Sequence, residues 1–432
     1  MDLKPFTEVL ALVDCNNFFV SCERVFRPDL KYKPVAVLSN NDGCFIARSQ
    51  EVKDLGVPMG APLFKYKDIV EKNNIIYFSA NFTLYGEISR RIMNSLQNLS
   101  PSVEVYSIDE AFLDLSFVSP DDLSNYGEKI SKQIYQSIGV PISVGIAPTK
   151  TLAKLMSEQA KKSPLSTKSY YDLTQDELTD VFKKTGVQEI WGVGGKKTSK
   201  LKEYNIYTVY DLLQADRYFI RKKFSIVTER TYLELKGISC MELSDVLVRK
   251  KNILSSRSFG SPVTSLGDLE ESVSAYLETA ARKLRDQNCQ ASYVSVFLKT
   301  SKYQPDHPNL SYRSFSKGVS LPYPTSSTST LIKFIKPLLR ELYKPNVRYK
   351  KSGVFLSQLQ EQLATQTSFL YNTDKEDNKN LLFKKIDIIN KTYGNNTLHL
   401  ASSGLKSSTW KMRRNKVSPD YLSDWKQIPK VK

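Results

Sequence analysis

The stretch "VEVYSIDEAFLDLS", residues 103–116, reads as two short strands around a polar turn. β-Branched and aromatic side chains alternate on either side of Asp109 and Glu110, with Val103, Val105 and Ser107 sharing one face, as in a half-buried hairpin. Asp is a common turn residue, so the acidic pair alone does not prove chemistry. The flanking segments build a sheet around it. "LALVD" (10–14) is a short apolar strand ending in an acid, and "PVAVLS" (34–39) is a strand running into the turn signal "NNDG". "DDLSNYGEKISKQIYQSIG" repeats Leu123, Tyr126, Ile130, Ile134 and Ile138 at helical spacing behind an acidic start, and "ISVGIAP" (142–148) follows as a strand. The order strand, hairpin, helix, strand is that of a split βαβ sheet in an α/β (α+β) fold, with Asp14 and the Asp109–Glu110 turn able to meet at one edge.

A chain of 432 residues exceeds one hydrophobic core and predicts three or four domains. With 62 Lys and Arg against 45 Asp and Glu, the net charge is +17, which calls for a polyanion, either nucleic acid or an anionic membrane. There is no apolar run of about 18 residues, and "MDLKPFTEVLALVD" has no basic region followed by an apolar stretch and cleavage site. Nucleic acid is therefore favoured, with no membrane partner. Cys15, Cys22, Cys44, Cys240 and Cys289 show no C-x-x-C spacing, which argues against zinc and a disulfide framework and for a cytoplasmic location. With only His307 and His399 in the chain, carboxylates and a metal are better candidates for chemistry than a His base. If Asp14, Asp109 and Glu110 converge with no basic neighbour adjacent to the acidic pair, a cation must neutralise them. Hard oxygen ligands suit Mg²⁺, and two such ions can support an in-line phosphoryl displacement.

"DCNNFFVSCE", "SNNDGCFIARS", "YSIDEAFLDLS" and "GIAPTKTLAKLMSEQAKK" follow one another in an order and spacing that resemble the Y-family translesion DNA polymerases, and among them the UmuC type. "RSFG" (257–260) and the terminal "SPDYLSDWKQIP" extend the resemblance over nearly the whole chain. It implies a multidomain right-hand polymerase: a ferredoxin-like palm (1–27 and 82–173), small fingers (28–81), a helical thumb (174–244), an α/β little finger (250–360) and a C-terminal tail (361–432). It implies two Mg²⁺ ions held by Asp14, Asp109, Glu110 and the backbone carbonyl of Cys15, with Asp109 and Glu110 catalytic. Many relatives carry Asp where this chain has Asn16. Arg48 and Lys161 match residues that contact the triphosphate of the incoming dNTP, the arginine as a fork and the lysine as a point charge. Of the adjacent aromatics in the nucleotide pocket, Phe18 is expected in the core. Phe19 matches the steric gate, whose ring clashes with a ribonucleotide 2′-hydroxyl.

"EIWGVGGKKTSKLKEYNIYTVYDLL" (189–213) resembles a helix-hairpin-helix. Gly192, Gly194 and Gly195 free a tight turn, and Lys196, Lys197 and Lys200 supply charge for DNA phosphates. "SVSAYLETAARKLRDQ" reads as a helix, "YVSVFLK" (293–299) as a strand, and the polar "PYPTSSTST" (322–330) as a loop. In the tail, Gln366, Phe369 and Leu370 of "QTSFL" have the pattern of a peptide that inserts into a sliding clamp. The basic end from Lys406 is a candidate contact for DNA or a partner. The reading is an error-prone translesion polymerase of DNA damage tolerance, with primer-template DNA and dNTP as substrates and a UmuD-like subunit and RecA as partners implied by the resemblance. A nucleotide cyclase would have no use for the lysine-rich hairpin and the second basic domain. A catalytically idle DNA-binding scaffold would not need all three carboxylates.

Overall fold

The computed structural model describes residues 8–243, 250–361, 373–394, 396–404, 410–422 and 424–429. The chain forms two compact units, Met1–Ser39 with Gly43–Leu247 and Lys416–Lys432, and Asn40–Asp42 with Val248–Asn415. The segments expected as palm and thumb fall in the first unit, as does that expected as fingers apart from residues 40–42. The expected tail is shared between the two units.

The first unit begins with β1 (Leu10–Cys15) and α1 (Phe18–Phe26). Next come β2 (Val35–Leu38), β3 (Phe45–Arg48), α2 (Gln50–Asp54), α3 (Lys67–Lys72) and β4 (Ile76–Ser79). These make a small sheet of order β3-β2-β4, with β2 and β4 parallel. The chain continues through α4 (Phe82–Gln97), the hairpin β5 (Val103–Val105) and β6 (Glu110–Asp114), α5 (Leu123–Ile138), β7 (Ile142–Ala147), α6 (Lys150–Lys161) and β8 (Thr167–Ser169). The sheet order β5-β6-β1-β7-β8 has the split βαβ arrangement expected from the sequence, with β8 added in parallel. Central position explains the apolar β1, in which all six residues are buried between β6 and β7. α5 turns Leu123, Ile130 and Ile134 into the core and stops at Gly139, whose φ of 85° is left-handed.

Five helices follow: α7 (Gln175–Lys184), α8 (Gly195–Lys202), α9 (Val209–Gln214), α10 (Arg217–Lys223) and α11 (Ile226–Leu235). Capping boxes at Thr174 and Thr208 start α7 and α9. The Glu234 carboxylate of α11 accepts from the Thr151 N–H at 3.0 Å, tying α11 to the start of α6.

The second unit is an antiparallel sheet of order β11-β10-β12-β9, made of β9 (Ile253–Val263), β10 (Cys289–Thr300), β11 (Ser314–Thr325) and β12 (Tyr349–Glu361). Helices α12 (Leu266–Asp286) and α13 (Thr328–Leu342) pack on it and on each other. α14 (Thr373–Tyr393) is held by Arg285, which meets the Asp387 carboxylate with two donors at 2.5 and 2.9 Å. "PYPTSSTST" is not the expected loop. Residues 322–325 complete β11, an edge strand that tolerates proline, and Ser327 caps α13 by accepting from the Thr330 N–H. No helix among the described residues is long and apolar enough to cross a membrane.

Close approach of α6 to β7 depends on Gly145, where an added Cβ would lie 2.1 Å from the Ser157 nitrogen and 2.2 Å from the Ala153 oxygen. Both obstacles are helix backbone, which cannot rotate away. Gly145→Ala should therefore destabilise the first unit by roughly 1–3 kcal/mol or more. Thermal unfolding measures it, and an unchanged Tm would contradict the packing.

Candidate active site

In the register of the central sheet Asp14 of β1 lies directly opposite Glu110 of β6, so the two carboxylates share one side of the sheet. The turn before β6 is fastened from both directions. The Cys15 N–H donates to the Asp109 carbonyl at 2.9 Å, while the Tyr106 and Ser107 N–H groups donate to the Glu110 carbonyl. The Ser107 hydroxyl donates to the Asp109 carboxylate. Burial pushes the Cys15 thiol well up, and Asp14, Asp109 and Glu110 all add to that rise.

No basic residue flanks Asp109 or Glu110 along the chain, yet cations reach the acids from a helix. Helix α6 sends Lys154 to Glu110 and Lys161 to Asp14, the latter at 2.8 Å. Lys161 also donates to Glu158 at 2.7 Å. The two lysines are seven residues apart and therefore share a helix face. Lys150, one turn before Lys154, continues the stripe with a 2.6 Å bond to Glu104. Adjacency along the chain cannot reveal a partner 44 residues away, but helical spacing in "KTLAKLMSEQAK" offered the signal. Burial pushes Asp14 up to about 7 against the opposing pull of Lys161, with Glu110 adding to the rise. For Lys161, burial disfavours the ammonium but Asp14 and Glu158 outweigh it, so its value is raised.

Among the described residues no three His, Cys, Asp or Glu side chains are gathered to hold an ion. The donor chemistry nevertheless fits Mg²⁺: Asp14, Asp109, Glu110 and the Cys15 carbonyl are all hard oxygens. The lysines on Asp14 and Glu110 show that the pair demands positive charge. Asn16 is used structurally, its side-chain oxygen accepting from Ser143 at 2.9 Å and its backbone oxygen from Ser21 at 2.6 Å.

Beside the acids lies a group of cations. Arg48, at the end of β3, donates to the Val57 carbonyl, while its buried Nε has no hydrogen-bond partner, and burial lowers its value. Lys53 of α2, absent from the sequence reading, is lowered first by burial and then by repulsion from Arg48 and Lys161. Cations next to a carboxylate pair, with Lys53 repelled by the other two, suit a polyphosphate. Phe18 is 3 % exposed and belongs to the core, leaving no face for a nucleotide. Phe19 is half-buried, stacked on Tyr85 with ring centroids 4.6 Å apart and edge-on to Phe82 at 5.9 Å.

In the hairpin, Gly192 has φ 80°, and a Cβ on Gly192, Gly194 or Gly195 would meet nothing within 4 Å. Lys197 donates to the Gly192 carbonyl at 3.0 Å, and Lys200 donates to the Lys223 carbonyl and lies over the Phe224 ring. Trp191 donates to the Tyr106 hydroxyl at 3.2 Å, joining the hairpin to the acidic turn. In the second unit Lys299 and Lys351 are cross-strand partners, and Lys351 is lowered by burial and by repulsion from Lys299 and Arg257. Like charges placed opposite each other cost stability, which an anion along the sheet would relieve. Gln366, Phe369 and Leu370 lie outside the described residues.

The family model described as impB/mucB/samB matches residues 13–158, and its C-terminal domain matches 250–369. A further model, a domain of unknown function, matches 381–431. Protein UmuC of Salmonella typhimurium is 38 % identical over 98 % of this chain and 100 % of its own length. The chain belongs to the impB/mucB/samB family. DNA polymerase IV of Oceanobacillus iheyensis is 24 % identical over 96 % of both chains. Among solved structures, a Y-family DNA polymerase chimera matches with a TM-score of 0.65 and 23 % identity, over 82 % of this chain and all of that one. The insertion ternary complex of Dbh DNA polymerase matches with a TM-score of 0.54 and 22 % identity over the same shares. This impB/mucB/samB member thus has the fold of Y-family polymerases.

Burial of Asp14 has a pH signature. A carboxyl whose folded value of about 7 lies above its ordinary 3.8 gains a proton on folding between those limits. Its contribution is therefore most favourable at low pH and is lost as pH rises from about 4 to about 7. Asp14→Asn should raise the Tm at pH 8 in chelator-containing buffer, by ~2–4 °C per kcal/mol recovered, and the gain should vanish towards pH 4. An equal gain at both pH values, in paired thermal melts, would contradict burial as the cause.

Proposed function

We propose that this chain is a template-directed translesion DNA polymerase whose reaction centre is the Asp14, Asp109 and Glu110 constellation. The carrying observation is the strand register that sets Asp14 beside Glu110 in a buried sheet, next to the cations Arg48, Lys53 and Lys161. In the reaction the primer 3′-oxygen forms a bond to the α-phosphorus of a dNTP as the bond to pyrophosphate breaks. Asp14, Asp109, Glu110 and the Cys15 carbonyl would hold two Mg²⁺ ions, which when bound supply charge stabilisation to the attacking and leaving oxygens. The three cations offset the triphosphate charge and orient it. Phe19 limits the space at the sugar 2′ position. The hairpin at Gly192–Gly195 with Lys196, and the paired lysines of β10 and β12, take the DNA backbone without reading sequence. The sliding clamp remains a proposed partner through Gln366, Phe369 and Leu370, as do a UmuD-like subunit and RecA through the family.

Primer extension with Mg²⁺ and four dNTPs, on undamaged and abasic templates, tests the reading. Asp109→Ala or Glu110→Ala should cut extension by several orders of magnitude, at least about 4 kcal/mol of transition-state stabilisation. DNA affinity by fluorescence anisotropy should change little, since phosphate contacts elsewhere supply most of it. Extension near the parental rate would remove these acids from the chemistry.

The pocket aromatic has its own test. Phe19→Ala should lower the dNTP-to-rNTP ratio of kcat/KM about 10- to 200-fold, the range that small steric differences in a pocket command. An unchanged ratio in single-nucleotide insertion would make Phe19 a packing residue only.

A further inference from the structure

The last part of the chain packs against the core of the first unit beside α1 and β4. Val417 forms a parallel bridge with Ser79 at the end of β4, and the Ser79 N–H donates to the Lys416 carbonyl at 2.9 Å. The Lys416 ammonium lies 3.9 Å from the centre of the Tyr77 ring, and Tyr421 stacks on Phe26 of α1 at 4.6 Å. Between these anchors Ser418 is buried. Its hydroxyl donates to the Glu23 carboxylate at 3.1 Å, while Asn81 donates to the Ser418 carbonyl and hydroxyl, each at 3.2 Å. Asn81 is also the cap of α4, accepting from the Leu84 N–H.

Glu23 is fully buried and makes no salt bridge among the described residues. Its Oε1 accepts from the Ser418 hydroxyl and, at 2.7 Å, from the Tyr85 hydroxyl. Its Oε2 is buried without a partner. A buried carboxyl depends on such donors, because each one lost leaves more of its desolvation uncompensated. Tyr85 is itself fully buried, and its ring is the surface on which Phe19 stacks. Phe19 and Glu23 stand one turn apart on α1, so the same helix carries the gate and the carboxyl that fixes the ring behind it.

We propose that Ser418, near the end of the domain of unknown function, is a positioning residue for sugar selection: it holds Glu23, Glu23 orients Tyr85, and the Tyr85 ring backs Phe19. This rests on the reading of Phe19 as the gate. A ring whose backing is anchored cannot yield to a 2′-hydroxyl. A loosened one can, so the tail influences which sugar is accepted without touching the nucleotide. It also gives residues 416–421 a reason to be inserted between α1, α4 and β4 instead of remaining on the surface.

The test is single-nucleotide insertion of dNTP and rNTP by the full chain, comparing Ser418→Ala, Ser418→Thr, Tyr85→Phe and Phe19→Ala, with thermal melts for each. Ser418→Ala should lower the dNTP-to-rNTP ratio of kcat/KM about 3- to 10-fold, the scale of one hydrogen bond, through faster ribonucleotide insertion. Ser418→Thr, which keeps the hydroxyl, should restore the ratio. Ser418→Ala combined with Tyr85→Phe should fall no further than the larger single effect, because both break one chain of contacts. A lowered Tm with an unchanged ratio in Ser418→Ala would reduce the tail to a structural strap and overturn the proposal, even while Phe19→Ala shifted the ratio and upheld the gate. An unchanged ratio in Phe19→Ala would overturn the gate and the tail's role together.

Discussion

The register that opposes Asp14 and Glu110 in neighbouring central strands is the constraint from which the rest of the first unit follows. Two carboxylates on one side of a sheet repel each other. Burial raises Asp14, and Glu110 adds to the rise. The fold answers with α6, whose lysine stripe reaches back over the sheet to Glu104, Glu110 and Asp14. Packing that helix closely enough requires a strand with no side chain at Gly145. A stability cost at the acids, a helix of compensating cations and a glycine that lets the helix approach are thus parts of one arrangement. Such an arrangement gives up stability to hold charged groups close together.

Positive charge is arranged on the same logic elsewhere. Lys53 is repelled by both Arg48 and Lys161 beside the acids. In the second unit Lys299 faces Lys351 across two strands. Both groupings become favourable against a polyanion, which is the physical content of the net charge of +17. In the hairpin, by contrast, two of the three lysines are engaged with the protein.

The aromatic pair after β1 shows how one helix divides labour. Phe18 fills the core, and Phe19, one position on, is half-buried and stacks on Tyr85. Behind Tyr85 the network runs through Glu23 to Ser418, 395 residues further along the chain.

The sequence by itself determined the local pieces: the apolar β1 ending in Asp14, the hairpin around Asp109 and Glu110, the spacing of α5 and the glycine turn before α8. These are legible because period, capping and turn chemistry act over a few residues. It misread "PYPTSSTST", since proline and hydroxyl residues mark loops, edge strands and helix caps alike until the neighbouring strand is known. Only the tertiary structure decided that Lys154 and Lys161 meet the acids, that Lys53 joins Arg48, and that Ser418 reaches Glu23. Each of those contacts depends on which helix face or chain end lies over which strand. That choice is made by packing the whole core, and no local pattern records it.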